Sequence, residues 1–141
     1  MSASETRRRL INPPDTRAVY DTLHFSQATR VGDLIWVSGQ VGVELATMTA
    51  VEGMDAQARL AFDHVRAVLD TAGATLADIV ELTTFHTDLR GDIEVFSRVK
   101  DEYLPDRYPS WTAVGVTQLA LPELLVEIRV VAHAGSGRGE A

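Results

Sequence analysis

The chain contains no cysteine in its 141 residues. Disulfides, thiolate nucleophiles and cysteine-based zinc sites are therefore excluded. No apolar run approaches the roughly 20 residues of a membrane-spanning helix. The N-terminal region carries no apolar stretch of the signal-peptide kind, so the expectation is a cytoplasmic protein without a membrane partner. Positive charge is scarce: 13 Lys and Arg stand against 20 Asp and Glu, a formal net charge of −7. That field repels a polyanion, so nucleic acid is not an expected partner. The basic run Arg7-Arg8-Arg9 lies in a polar N-terminal segment and reads as solvated. The phosphate-cradling GxGxxG and GKT/GKS patterns are absent, as are HExxH and GxSxG. The four histidines form no close HxxxH pair, so no metal is expected.

What is present suits one soluble domain. Hydrophobic residues make up 45% of the chain and charged residues 23%, ordinary values for a globule with a sizeable core. The expected domain spans 16–135, between a loose tail over 1–15 that ends in Pro13-Pro14 and a fraying end over 136–141. "FSQATRVGDLIWVSGQVGV" reads as a β-hairpin, with strands near Phe25–Arg30 and Leu34–Gln40 and a turn at Gly32-Asp33. "MDAQARLAFDHVRAVLDTAG" places Ala58, Ala61, Phe62, Val65, Val68, Leu69 and Ala72 at helical spacing, and Gly73 at a left-handed cap. "IVELTTFHTDL" alternates as a strand. "GDIEVFSRVKDEYL" follows as a helix, with Asp92 expected as N-cap and Pro105 as its stop. Strands are then expected over Trp111–Gln118 and Leu124–Ala134.

The order is β-β-α-β-α-β-β, an α+β arrangement. Two helices cannot cover both faces of such a sheet, so both belong on one face. The strand "LLVEIRVVA" nevertheless has aliphatic residues on both sides. A half-wet antiparallel sheet alternates more cleanly, so the second face is expected to meet another subunit.

Three features invite chemistry. Glu127 is a carboxylate on an apolar strand. It is either a solvated residue paired with Arg129, two positions on, or a cleft carboxylate with a raised pKa that handles a water. Ser38-Gly39 ends a strand abruptly, as a tight turn or as a backbone donor for a carbonyl or carboxylate oxygen. Trp111 opens its strand as core, as subunit interface or as the wall of a site, whereas Trp36 reads as core.

Taken together, "FSQATRVGDLIWVSGQ", "AQARLAFDHVRAVLDTAGATLADIVELTTFHTDL", "YPSWTAVGV" and "LLVEIRVVA" resemble, in order and spacing over about residues 20–134, the RidA (YjgF) family. The resemblance implies a chorismate-mutase-like fold: a mixed sheet with two helices on one face, assembled as a homotrimer with three inter-subunit clefts. It also implies cofactor-independent hydrolysis of reactive enamines and imines to carbonyl compounds and ammonia. By the same resemblance Glu127 matches the family's acid, and Ser38-Gly39-Gln40 and Ala113 match its backbone donors. Trp111 stands where the family has a substrate-clamping arginine, Phe25 where it has a tyrosine, and Ser97 where it has an asparagine. Indole offers one neutral N–H where guanidinium offers a charged fork, so the ligand preference is expected to differ. Arg107, Arg129 or a neighbouring subunit's arginine could restore the cation. Two readings stand: an enzyme acting on a C–N bond of an altered substrate, or a trimer that binds a small metabolite in its clefts without turning it over.

Overall fold

The computed structural model describes residues 6–138. A six-stranded mixed sheet runs in the order β1-β2-β3-β8-β6-β7. Its strands are β1 (Arg9–Ile11), β2 (Ala28–Val31), β3 (Leu34–Val41), β6 (Ile79–His86), β7 (Ser110–Gly115) and β8 (Val126–His133). A separate two-stranded ribbon joins β4 (Val43–Glu44) to β5 (Thr49–Ala50). The helices are α1 (Arg17–Leu23), α2 (Met54–Ala72) and α3 (Leu89–Tyr103). All sheet pairings are antiparallel except β6 with β7. A parallel pair needs a crossover connection, and α3 supplies it.

The expected β-β-α-β-α-β-β core is present as β2-β3-α2-β6-α3-β7-β8. Every residue of the apolar stripe read along α2, from Ala58 to Ala72, is buried. Gly73 ends the helix at φ 88°, and its N–H bonds back to Asp70. α2 and α3 cover one face of the sheet, where Phe62 and Phe96 stack with ring centroids 5.9 Å apart. Ile35, Val37, Leu82, Ile128, Val130 and Ala132 complete this core from the strands.

Gln57 ties the core to the start of β8. Its Nε2 donates to the Val51 carbonyl (3.0 Å) and the Glu123 carbonyl (2.9 Å), and its Oε1 accepts from Leu125 N–H (2.8 Å). These bonds fix the chain just before Glu127. A Cβ on Gly42 would sit 2.5 Å from the Gln57 Cα, so the end of β3 packs directly on the α2 backbone.

The structure corrects several expectations. The segment expected as a loose tail supplies β1, which pairs with β2, and Ile11 is buried. A 3-10 turn over Pro14–Thr16 and helix α1 follow it. The C-terminal segment is docked up to the last described residues. Asp78 Oδ1 accepts from Gly137 N–H at 2.8 Å, and the Gly137 carbonyl accepts from Arg107 at 2.9 Å; residues 139–141 lie outside the described range. β7 stops at Gly115 rather than Gln118. Helix α3 begins at Leu89, with Asp88 as N-cap and Asp92 in its first turn. Trp36 is not core: it is 39% exposed, on the face opposite the helices.

That open face has a distinct row. Leu10, Thr29, Trp36 and Val131 are successive cross-strand neighbours on it. Leu10 is 48% exposed, so large apolar side chains stand where one chain alone offers no cover.

Candidate functional site

Glu127 lies on β8 opposite Val41 of β3 on one side and Phe85 of β6 on the other, on the open face. Its neighbours on its own strand, Val126 and Ile128, are buried under the helices. The carboxylate is half-buried, and among the described residues no hydrogen bond or ion pair reaches it. The expected pairing with Arg129 is absent, and Arg129 is exposed. Burial without compensation pushes the Glu127 pKa above the ordinary glutamate value.

Gly39 explains how the carboxylate is placed. The β3–β8 ladder slips between Val37 and Gln40, so that Ser38 and Gly39 form a β-bulge. A Cβ on Gly39 would lie 2.5 Å from Glu127 Cδ and 2.7 Å from Oε2. The missing side chain is therefore the space that the carboxylate occupies. A cavity of about 190 Å³ opens beside it. Phe25, Gly39 and Glu127 all line this cavity.

The other residues singled out in the sequence are elsewhere. Ser38 spends its N–H on the Gln27 carbonyl (2.8 Å) and its hydroxyl on the Ser26 carbonyl (2.7 Å). Within one chain Arg107 lines a different cavity, of about 150 Å³, with Tyr103 and Pro105, and donates to the Gly137 carbonyl. Ser97 is half-buried on α3. Trp111 and Ala113 pair with Leu82 and Thr84, both fully buried beneath the helices, so they lie on the helix-covered face, opposite Glu127. The Trp111 ring packs on Phe96 with centroids 5.9 Å apart, and the Lys100 ammonium lies 4.8 Å from the ring centroid. Its Nε1–H donates to Thr84 Oγ1 at 3.0 Å. One chain therefore does not bring Trp111 and Glu127 together.

Helix α1 was not read from the sequence, yet Val19 and Leu23 give it one wall of the Glu127 cavity. Gln27 and His64 also line it. The i, i+4 spacing of Val19 and Leu23 was the available signal.

Beneath Trp111, Thr84 Oγ1 also meets His86 Nε2 at 2.8 Å. His86 is fully buried, edge-on to Phe96, and among the described residues its Nδ1 has no partner. Burial pushes its pKa down, partly offset by the charge of Asp92. The native state thus holds His86 neutral, while the unfolded chain takes up a proton near the ordinary value of 6.5. The contribution of His86 to stability is full above that pH and falls as the pH drops toward the folded-state value. Denaturation between pH 7 and 5 should show this slope, and His86→Leu should remove much of it. An unchanged slope in the variant would contradict the assignment.

Residues 16–134 match the family model described as Endoribonuclease L-PSP. The RutC family protein YjgH of Escherichia coli K12 is 42% identical over 127 residues, covering 89% of this chain and 95% of that protein. A solved structure of a protein named YjgH superposes with a TM-score of 0.82 at 41% identity, over 90% of this chain and 96% of that one. The 2-iminobutanoate/2-iminopropanoate deaminase of Dermatophagoides farinae is 31% identical over 96 residues, 67% of this chain and 74% of that protein. The matched span, the identity and the shared fold lead to one conclusion: the chain belongs to the Endoribonuclease L-PSP family, that of the RutC, YjgF and RidA proteins.

Proposed function

We propose that this protein hydrolyses a reactive imine, or an enamine through its imine tautomer, to a carbonyl compound and ammonia. The observation that carries this reading is Glu127, a half-buried carboxylate with no partner among the described residues, set against Gly39 in the lining of a cavity. The name of the mite relative points to the same chemistry.

The role of Glu127 follows from its surroundings. A carboxylate whose pKa is raised by burial accepts a proton more readily than an ordinary one. It takes a proton from water as the water oxygen bonds to the imine carbon. It returns that proton to the imine nitrogen, giving the neutral carbinolamine, and then relays the carbinolamine hydroxyl proton to the same nitrogen. The C–N bond breaks, ammonia leaves, and the oxygen remains as the carbonyl. No cofactor is needed for this sequence.

Trp111 enters this reading through a neighbouring chain. Glu127 and Trp111 lie on opposite faces of one sheet, so a cleft holding both takes its acid from one protomer and its indole from the next. The exposed row with Leu10 and Trp36 supports sheet-to-sheet packing of this kind. Indole in place of a guanidinium then shifts the substrate preference. Light scattering should give about three times the 15.4 kDa chain mass; a monomer at micromolar concentration would contradict the trimer.

The second reading is a metabolite-binding trimer without turnover, motivated by Trp111 at the arginine position. The deciding experiment follows ammonia and carbonyl release from a panel of freshly generated imines. Release above the spontaneous rate supports hydrolysis. Ligand-induced thermal stabilisation with no release supports binding alone. The net charge of −7 argues against RNA as the substrate.

A further inference from the structure

Thr84 and His86 are both fully buried beneath Trp111, and their polar atoms can be accounted for one by one. An indole N–H only donates, so the 3.0 Å contact from Trp111 Nε1 makes Thr84 Oγ1 an acceptor. The hydroxyl's own proton then needs an acceptor. Among the described residues the partner in reach is His86 Nε2, 2.8 Å away. Burial holds His86 neutral, so with Nε2 accepting, the ring proton sits on Nδ1. Nδ1 is the atom without a partner among the described residues. The other tautomer fares worse: Nε2–H would donate to Thr84, leaving both the hydroxyl proton and Nδ1 unmatched. The bonds therefore run one way, from Trp111 to Thr84 to His86, with one orphan at the inner end.

Apolar side chains in these places would fill the same space with no orphan. What the polar chain adds is direction. β7 is an edge strand of the sheet, and Trp111 is 36% exposed near its start. Phe96 and Lys100, one turn apart on α3, both meet the indole, with centroids 5.9 Å apart and the ammonium 4.8 Å from the ring centroid. Contacts of that kind hold a ring but do not choose which way its N–H points. Thr84 makes that choice: one buried acceptor selects the orientation whose nitrogen faces the protein interior. The Lys100 side chain is itself only 11% exposed, and its ammonium meets Asp101 Oδ1 at 3.0 Å, so the cation is held against the ring.

We propose that Thr84, backed by His86, is the positioning residue that sets what Trp111 shows to a ligand. With its N–H committed inside, the indole presents its ring and the Lys100 ammonium beside it, not a neutral hydrogen-bond donor. This rests on the reading above, in which Trp111 walls a neighbouring protomer's cleft.

The test uses Thr84→Val, which keeps the shape and removes the acceptor, and Thr84→Ser, which keeps the acceptor. In the full-length protein, solvent exchange of the Trp111 indole proton should quicken about tenfold in the valine variant and stay at the parent rate in the serine variant. With a hydrolysed imine, KM should rise about fivefold in the valine variant while kcat holds within about twofold. Added to Trp111→Phe, which has no N–H to place, Thr84→Val should bring no further loss. An unchanged exchange rate, or losses that add, would overturn the assignment. Nitrogen NMR of the parent protein needs no variant: His86 should carry its proton on Nδ1, and a proton on Nε2 would break the chain. If no imine is hydrolysed, the hydrolytic reading fails by itself, and the exchange rate and the His86 tautomer decide whether Thr84 holds the ring.

Discussion

Replacing Glu127 with glutamine should lower imine hydrolysis by a factor of about 10²–10⁴ while raising the thermal midpoint at neutral pH by about 2–5 °C. The two effects share one cause. Glu127 is half-buried with no partner among the described residues, so its charge is desolvated without compensation. Its folded-state pKa lies above the unfolded one. The ionised form is therefore destabilising: the contribution of Glu127 to stability is greatest at low pH and is lost as the pH rises through the folded-state value, opposite in sign to that of His86. Glutamine keeps the shape and removes the charge. It cannot accept a proton from water, so turnover falls while the fold gains. A variant that retains activity, or that loses stability at neutral pH, would contradict this account.

Gly39→Ala should lower kcat about 100-fold, the scale expected when a catalytic group is displaced by about 1 Å. The methyl group would arrive 2.5 Å from Glu127 Cδ and 2.9 Å from Cγ, closer than such atoms come. Gly39 does not lie among the positive-φ glycines, so its backbone accommodates alanine. The substitution thus tests the position of the carboxylate rather than the integrity of the chain. Circular dichroism should match the parent protein while turnover drops. Turnover within twofold of the parent would show that the close approach of Gly39 and Glu127 has no part in the reaction.

The legible parts of the fold were those where one physical signal dominated. The α2 stripe was readable because seven core side chains recur at helical spacing and all are buried. β1 and α1 were not readable, for the opposite reason. β1 has three residues with one buried, and α1 buries none fully. Trp36 was misread because its strand neighbours Ile35 and Val37 are core, and alternation alone does not say which face is covered. In the site, Glu127 announced itself as a charge inside an apolar run. Its lack of a partner did not: Arg129 shares its face at the right spacing, yet it is exposed and forms no ion pair among the described residues. Gln27 was missed because sequence does not reveal which amides satisfy each other. The separation of Trp111 from Glu127 depends on strand order and register across β7, β6 and β8, which are properties of the assembled sheet.

The most direct test follows kcat/KM against pH for hydrolysis of a soluble imine, with the spontaneous rate subtracted. If Glu127 is the proton acceptor, kcat/KM rises with pH through a midpoint above the ordinary glutamate value of 4.5, and the residual activity of Glu127→Gln lacks that limb. The same midpoint in the glutamine variant would assign the limb to another group and would remove Glu127 from the chemistry.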